Sequence, residues 1–316
     1  MNKILLLFIT LILFSGCKKE FDLKPKYVGN NTDWEVRGLF GKVKEVRQFK
    51  ANFKGSDGTQ KEKPILNLNE QFERFGSVKM SKYFDPFGEP LQTIKYFHDG
   101  SNLLKKVITI GQNTSQKSIE TILNDTINKI TTRNITYNDS LNFKFIFQYD
   151  NSERINTQTK IQNRDTLISN FEYVYDDANN LLKSVESIIG EENGVVNEYK
   201  YDDNGNVIET ITGPEYYKLK TIKEYKDNIL TASNHYTISQ DLKEHLNEII
   251  EYDKISNVIS EKIFEDGKLN RELKKEYEFD DYGNWIERKV YFKEHFANSK
   301  KFVPVYVETR KIKYWE

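Results

Sequence analysis

The chain has 316 residues and sets 47 Lys and Arg against 48 Asp and Glu. With no basic excess, attraction to nucleic acid or to an anionic membrane surface is excluded as an organising feature. Tyr (19) and Phe (20) are abundant beside a mean hydropathy of -0.70, a composition that suits elements buried on one face rather than a thick core.

Lys3 and the apolar run Ile4 to Phe14 have the charge and length of a signal-peptide core, too short to span a bilayer comfortably. Ser15 and Gly16 then lead into Cys17, the only cysteine. This placement marks residues 1–16 as an export signal and Cys17 as the point of lipid attachment. A chain with one cysteine forms no internal disulfide despite an oxidising destination, so backbone pairing and aromatic burial must hold it together. The stretch "FSGC" resembles the lipobox of bacterial lipoproteins, with Phe14 where Leu is commoner. "CKKE" and the polar stretch through Pro25, Gly29, Asn30 and Asn31 resemble exported lipoproteins of the Bacteroidota. These resemblances imply an acylated (palmitate-type) cysteine, a flexible tether over 17–35, and a lipid-anchored position in the cell envelope, at the outer membrane.

Residues 36–316 form one repeat domain. "GSDGTQKEKP" from Gly55 to Pro64 is a loop by composition. Beyond it, Tyr149, Tyr175, Tyr201, Tyr225, Tyr252 and Phe279 are spaced by 26, 26, 24, 27 and 27 residues, and half-steps such as Phe72 to Phe84 reduce the unit to about a dozen residues, one strand and one turn. In "YKYDDNGNV", Tyr199 and Tyr201 share a strand face, Asp202 caps the turn, and Gly205 supplies the left-handed residue. Asp280 with Gly283, and Asp176 with Asn179, repeat those roles, whereas Glu153 and Ser256 in the glycine's place predict a different turn. "GPEYYKLK" from Gly213 predicts an irregular connection. Asp241 to Tyr252 carries apolar residues at helical spacing, but its Tyr252 marker assigns it to a strand.

The whole pattern predicts an all-β, antiparallel β-hairpin repeat meander of about twenty strands: one strongly twisted, rolled sheet with edges at its two ends. The Tyr-Asp pair, two variable residues, then Gly and often Asn or Arg before a hydrophobic return resemble the YD repeats of the RHS family over Phe72 to about Phe292. That resemblance implies the repeated hairpins; the chain is too short for the large shell of RHS proteins and carries no recognisable core-end or toxin module.

Chemical motifs are scarce. His98, His235, His245 and His295 are far apart with no HExxH pattern, so no metal site is assigned. The absence of a phosphate-cradling glycine loop and of a GxSxG elbow leaves no expected cofactor. The acid pairs Asp176–Asp177, Asp202–Asp203 and Asp280–Asp281 lack the spacing of a calcium loop and are assigned to turn capping. "DTI", "DSL" and "DTL" resemble the O-glycosylation pattern of exported Bacteroidota proteins and mark Thr126, Ser140 and Thr166 as candidate glycan sites. The expected function is a membrane-anchored, non-enzymatic binding or structural module whose tyrosine-rich face engages a glycan, a peptide or another envelope protein. The alternative is a glycan hydrolase using a carboxylate pair, which requires non-repeating acids converging in a cleft.

Overall fold

Each repeat turn is closed by its aspartate. In the computed structural model, which describes residues 32–54, 60–112, 116–138, 141–191, 194–295 and 301–316, the Asp202 carboxylate accepts from the backbone N–H of Asn204 (3.0 Å) and Asn206 (2.8 Å) and from the Asn206 side chain (2.9 Å). Asp176, Asp253 and Asp280 accept from the backbone N–H of Asn180, Asn257 and Asn284 in the same way, and Arg154 replaces the asparagine opposite Asp150. The fourth turn residue is left-handed throughout: Gly205 has φ 81°, Gly283 89°, Asn179 65°, Glu153 64° and Ser256 65°. The expectation of a different turn at Glu153 and Ser256 is thus corrected. The aspartate clamp fixes the geometry there, and the non-glycine residue is forced into it with the steric cost of a Cβ. Glu153→Gly should therefore stabilise the protein by about 1 kcal/mol, read as a higher unfolding midpoint in urea; a lower midpoint would show that the glutamate side chain contributes more than its strain costs.

A hairpin consumes two strands, so a period of two strands returns its turns to the same end of the sheet, while the half-step turn at 85–89, clamped by Asp85 in the same way, falls at the other end. The turns at 73–77, 99–103, 150–154, 176–180, 202–206, 253–257 and 280–284 all lie on one rim. Just below it, Tyr149 pairs with Ile155, Tyr175 with Leu181, Tyr201 with Val207, Tyr252 with Val258 and Phe279 with Trp285, each beside a β-bulge. Tyrosines on neighbouring strands reach back to the carbonyls beside these bulges: Tyr173 to Ile155 (2.6 Å), Tyr201 to Leu181 (2.9 Å) and Tyr277 to Val258 (2.7 Å). A ladder interrupted by a bulge leaves polar groups to satisfy, which is why tyrosine rather than phenylalanine recurs here.

The sheet has no edges. The first strand, Val43–Lys54, pairs along one side with Ile65–Phe72 and along the other with the last strand, Val303–Tyr314, in a register running from Val43–Tyr314 to Asn52–Tyr306. Every other described strand pairs with its neighbours in sequence. Of the twenty-one described strands, the two-residue Gln60–Lys61 only extends the end of the first, and the remaining twenty close into an antiparallel barrel. The open rolled sheet is corrected accordingly: closure gives the exposed N–H and C=O rows of the terminal strands partners in each other. Barrel width grows with strand number, and the 16–18 strands of porin barrels already leave an aqueous channel. Twenty strands enclose a lumen.

Pairing separates the two faces. Side chains from six consecutive strands, including Phe147, Tyr173 and Tyr199, converge on one concave recess, which only the inner face of a cylinder permits. Leu123 (63% exposed) and Val174 (53%) lie on the opposite, outward face.

The largest cluster of buried apolar side chains lies beside the seam where first and last strands meet, with Ile122 buried apart from it. Leu39, Val43, Val46, Phe72 and Val78 form the cluster, with Trp34, Tyr96, Ile312 and Tyr314 packed against them. Residues 32–35, placed by the sequence in the flexible tether, instead belong to a docked segment. Thr32 and Glu35 form a reciprocal capping box on the helical turn Asp33–Val36, the Trp34 indole N–H donates to the Val43 carbonyl (2.8 Å), and Asp33 accepts from the Val78 N–H (2.6 Å). A capped turn with a buried indole gains more from packing than an extended tether would.

Candidate functional site

The inward positions two residues before the rim markers are mostly aromatic: Phe147, Tyr173, Tyr199 and Tyr277 precede Tyr149, Tyr175, Tyr201 and Phe279. Where these stripes meet over the strands from Ile130 to Tyr201 they form a recess of about 440 Å³ opening into the lumen. Thr131, Ser184, Glu186 and Asn197 add polar groups to its lining. The Asn197 amide donates to Ser184 Oγ (3.2 Å) and its carbonyl accepts from Thr212.

Two guanidiniums border the recess, and each has a carboxylate. Arg154 holds Asp150 at 2.6 Å and lies 5.3 Å from the Tyr173 ring centroid and 4.8 Å from that of Tyr175. Arg133 is bonded to Glu120. Burial, then the neighbouring Tyr175 and Asp150, pushes the Tyr173 hydroxyl up to about 12, so it remains a hydrogen-bond donor at all physiological pH.

A second polar cluster lies behind the docked segment. Glu70 accepts from Arg37 (3.0 Å) and from Ser81 (3.0 Å). Glu308 accepts from Arg288 (2.7 Å) and from Gln48 (3.3 Å), and Arg310 donates to Gln48 (3.1 Å). Arg288 and Arg310 both stack on Trp285, at 4.9 and 3.5 Å from its centroid. Burial, reinforced by the Arg288 charge, pulls Arg310 down to about 10, which still leaves it charged at neutral pH. Every link joins the docked segment or strands at the seam, so this cluster holds the closure of the barrel.

The residues singled out from sequence fall in three places. Asp176, Asn179, Asp202, Gly205, Asp280 and Gly283 lie in the rim turns, where hydrogen bonds to Asn180 and Asn206 hold the Asp176 and Asp202 carboxyls below the ordinary range. The Asp280 turn is also joined to the docked segment, because Asn284 accepts from the Phe40 N–H (2.7 Å) and donates to its carbonyl (2.9 Å). Thr126 and Thr166 are exposed. Cys17 and Ser140 lie outside the described residues. The Asn or Arg that the YD-like pattern sets after the left-handed residue is the aspartate's partner, at Asn180, Asn206, Asn257, Asn284 and Arg154, a role that sequence reasoning did not assign to it. Among the described residues, no group of three or more His, Cys, Asp or Glu is placed to hold a metal ion, and no helix is long and apolar enough to cross a membrane.

Together these features define a closed, wide antiparallel β-barrel with an aromatic lumen. No protein-family model matches the chain, and no curated protein sequence matches it. Among solved structures it is similar to a porin-like protein from Bacteroides uniformis (9% identity, TM-score 0.36, 87% of this chain and 98% of that chain). A porin-like protein from Bacteroides vulgatus aligns at 11% identity and TM-score 0.23 over 86% of this chain and 98% of that chain. The TcdB2-TccC3-Cdc42 structure aligns at 13% identity and TM-score 0.34 over 78% of this chain but 16% of that chain. The resemblance to the RHS family is corrected: no family model supports it, and the strands close into a twenty-strand ring rather than winding on as a shell. The YD-like stretches mark a turn chemistry that a barrel hairpin reaches with the same residues.

Proposed function

We propose that the protein is a non-enzymatic, lipid-anchored barrel of the bacterial envelope, held at the outer membrane by acylated Cys17, with its wall in water and its binding surface inside. One observation carries this reading: the outward face bears a belt of ion pairs. Lys183 meets Glu198 (3.7 Å), Lys200 meets Glu209 (2.6 Å), and Lys220 joins Glu209 (3.6 Å) to Glu244 (2.8 Å). Further round, Glu251 meets Lys262 (2.9 Å), Glu287 meets Lys289 (3.0 Å), and Glu45 meets both Arg47 (3.0 Å) and Lys313 (2.8 Å). A wall facing lipid carries an apolar band about 25 Å tall, and each lysine or arginine at its middle costs about 2–4 kcal/mol. Here ion pairs run along the outward face, which such an apolar band does not accommodate. The hydrolase alternative needs two acids converging on one bond; Asp150 and Glu120 are held in salt bridges, and the two carboxylates that line the recess stand on different elements, Glu153 in a rim turn and Glu186 on a wall strand.

The test is to replace residues 1–17 with a cleavable secretory signal. The released chain should be soluble and monodisperse without detergent and should melt cooperatively with a β-type circular dichroism spectrum; a chain that stays in solution only with detergent would refute the water-facing wall. In the parent protein, Cys17→Ser should abolish labelling by radioactive fatty acid, and undiminished labelling would refute the anchor.

A further inference from the structure

The recess brings together ring surfaces, hydrogen-bonding groups and two guanidiniums that are already matched. Phe147, Tyr149, Phe171, Tyr173, Tyr175 and Tyr199 supply the rings. Their placement is fixed by the wall: Tyr173 is tied to the Ile155 carbonyl, so little side-chain entropy is left to lose on binding. Glu186 and the Asn197 amide supply acceptors and donors on strands facing those rings.

We infer that this recess binds a neutral oligosaccharide, an assignment that rests on the lumen standing in water. A sugar ring offers an apolar C–H face and an edge of hydroxyls that both donate and accept, matching an aromatic wall with carboxylate and amide groups beside it. A cationic ligand fits worse. Arg133 and Arg154 border the space, and Arg154 already occupies the neighbourhood of the Tyr173 and Tyr175 rings. An anion fits worse still, because Asp150 and Glu120 already engage both guanidiniums and Glu153 and Glu186 would repel it. The volume of about 440 Å³ lies within the usual range for small-molecule sites. The recess is also continuous with the marker aromatics, which recur on every second strand. Strand spacing puts them about 10 Å apart, close to the length of a disaccharide, so a longer glycan can continue past Tyr199 to Tyr201 and Tyr225.

The test uses the full-length lipidated protein and isothermal titration with neutral hexasaccharides of glucose (α-1,4 and β-1,4), mannose and xylose, with tetramethylammonium and hexagalacturonate as charged comparators. The expected result is saturable binding of at least one neutral hexasaccharide and of neither comparator. Tyr199→Leu and the near-isosteric Glu186→Gln should each weaken it at least tenfold without changing the melting temperature, while Phe292→Leu on the opposite wall should leave it unchanged. No binding by any of the hexasaccharides, preference for a charged comparator, or affinity undisturbed by both recess variants would overturn the inference. A chain that is soluble without detergent yet binds none of these sugars overturns only this assignment, whereas a requirement for detergent overturns the reading beneath it.

Discussion

Replacing Glu308 with alanine should cost about 3–5 kcal/mol, the range for removing one partner of a buried ion pair. Glu308 is 6% exposed and faces Arg288 and Gln48 directly. Without it, Arg288 and Arg310 would remain on either side of Trp285 with their mutual repulsion unrelieved, and Arg310 already has a buried Nη1 with no hydrogen-bond partner. The measurement is urea unfolding of the parent and variant, with Arg288→Met added in a double-mutant cycle. Most of the loss should be recovered in the double variant, because it removes the stranded cation as well. A Glu308→Ala cost under about 1 kcal/mol, the value of an exposed pair, would show that water reaches the cluster.

Gly76→Val should be far more damaging than Gly205→Val, although both glycines are left-handed. At Gly205 (φ +81°) an added Cβ meets nothing within 4 Å, so the cost is the backbone strain alone, about 1–2 kcal/mol. At Gly76 (φ +91°) the Cβ would lie 2.8 Å from Thr32 Cβ and 2.9 Å from Trp34 Cε3. The docked segment must then move away, losing the Trp34 hydrogen bond to Val43 and the burial of its indole, which raises the expected cost to about 3–5 kcal/mol. Thermal melts will rank the two variants. Limited proteolysis separates the causes: cleavage within residues 32–41 should accelerate in Gly76→Val only, and equal cleavage in both would show that the segment is not held by this contact.

The local structure was legible because it is written in local chemistry. An aromatic, an aspartate and a left-handed residue at fixed spacing specify a hairpin, and their repetition specifies a meander. Closure was not legible, since it depends on how twist and bulges accumulate over twenty strands and on contacts between residues such as Gln48 and Glu308, 260 apart in the chain. The seam cluster left a fainter trace. Glu70 stands two residues before Phe72, where the later repeats place Phe147, Tyr173, Tyr199 and Tyr277; a charge on the aromatic stripe marks a departure from simple packing. The recess was legible only in its tyrosines, because its polar lining, such as Ser184 opposite Asn197, comes together only through strand pairing.

The seam also sets the order of assembly. The first strand is synthesised early, but its second partner is the last strand, so one side of it must wait for nearly the whole chain. Pairings of such long separation form slowly, and a waiting strand can recruit the wrong neighbour. The two strands are guarded during that interval by their own side chains. Lys44, Arg47 and Lys50 punctuate the first, and Arg310, Lys311 and Lys313 the end of the last, so two first strands or two last strands from separate molecules would meet with like charges. When first and last strands come together, Glu45 of the first reaches Lys313 of the last (2.8 Å) and Gln48 bonds both Glu308 and Arg310, and the intramolecular join becomes favoured over aggregation.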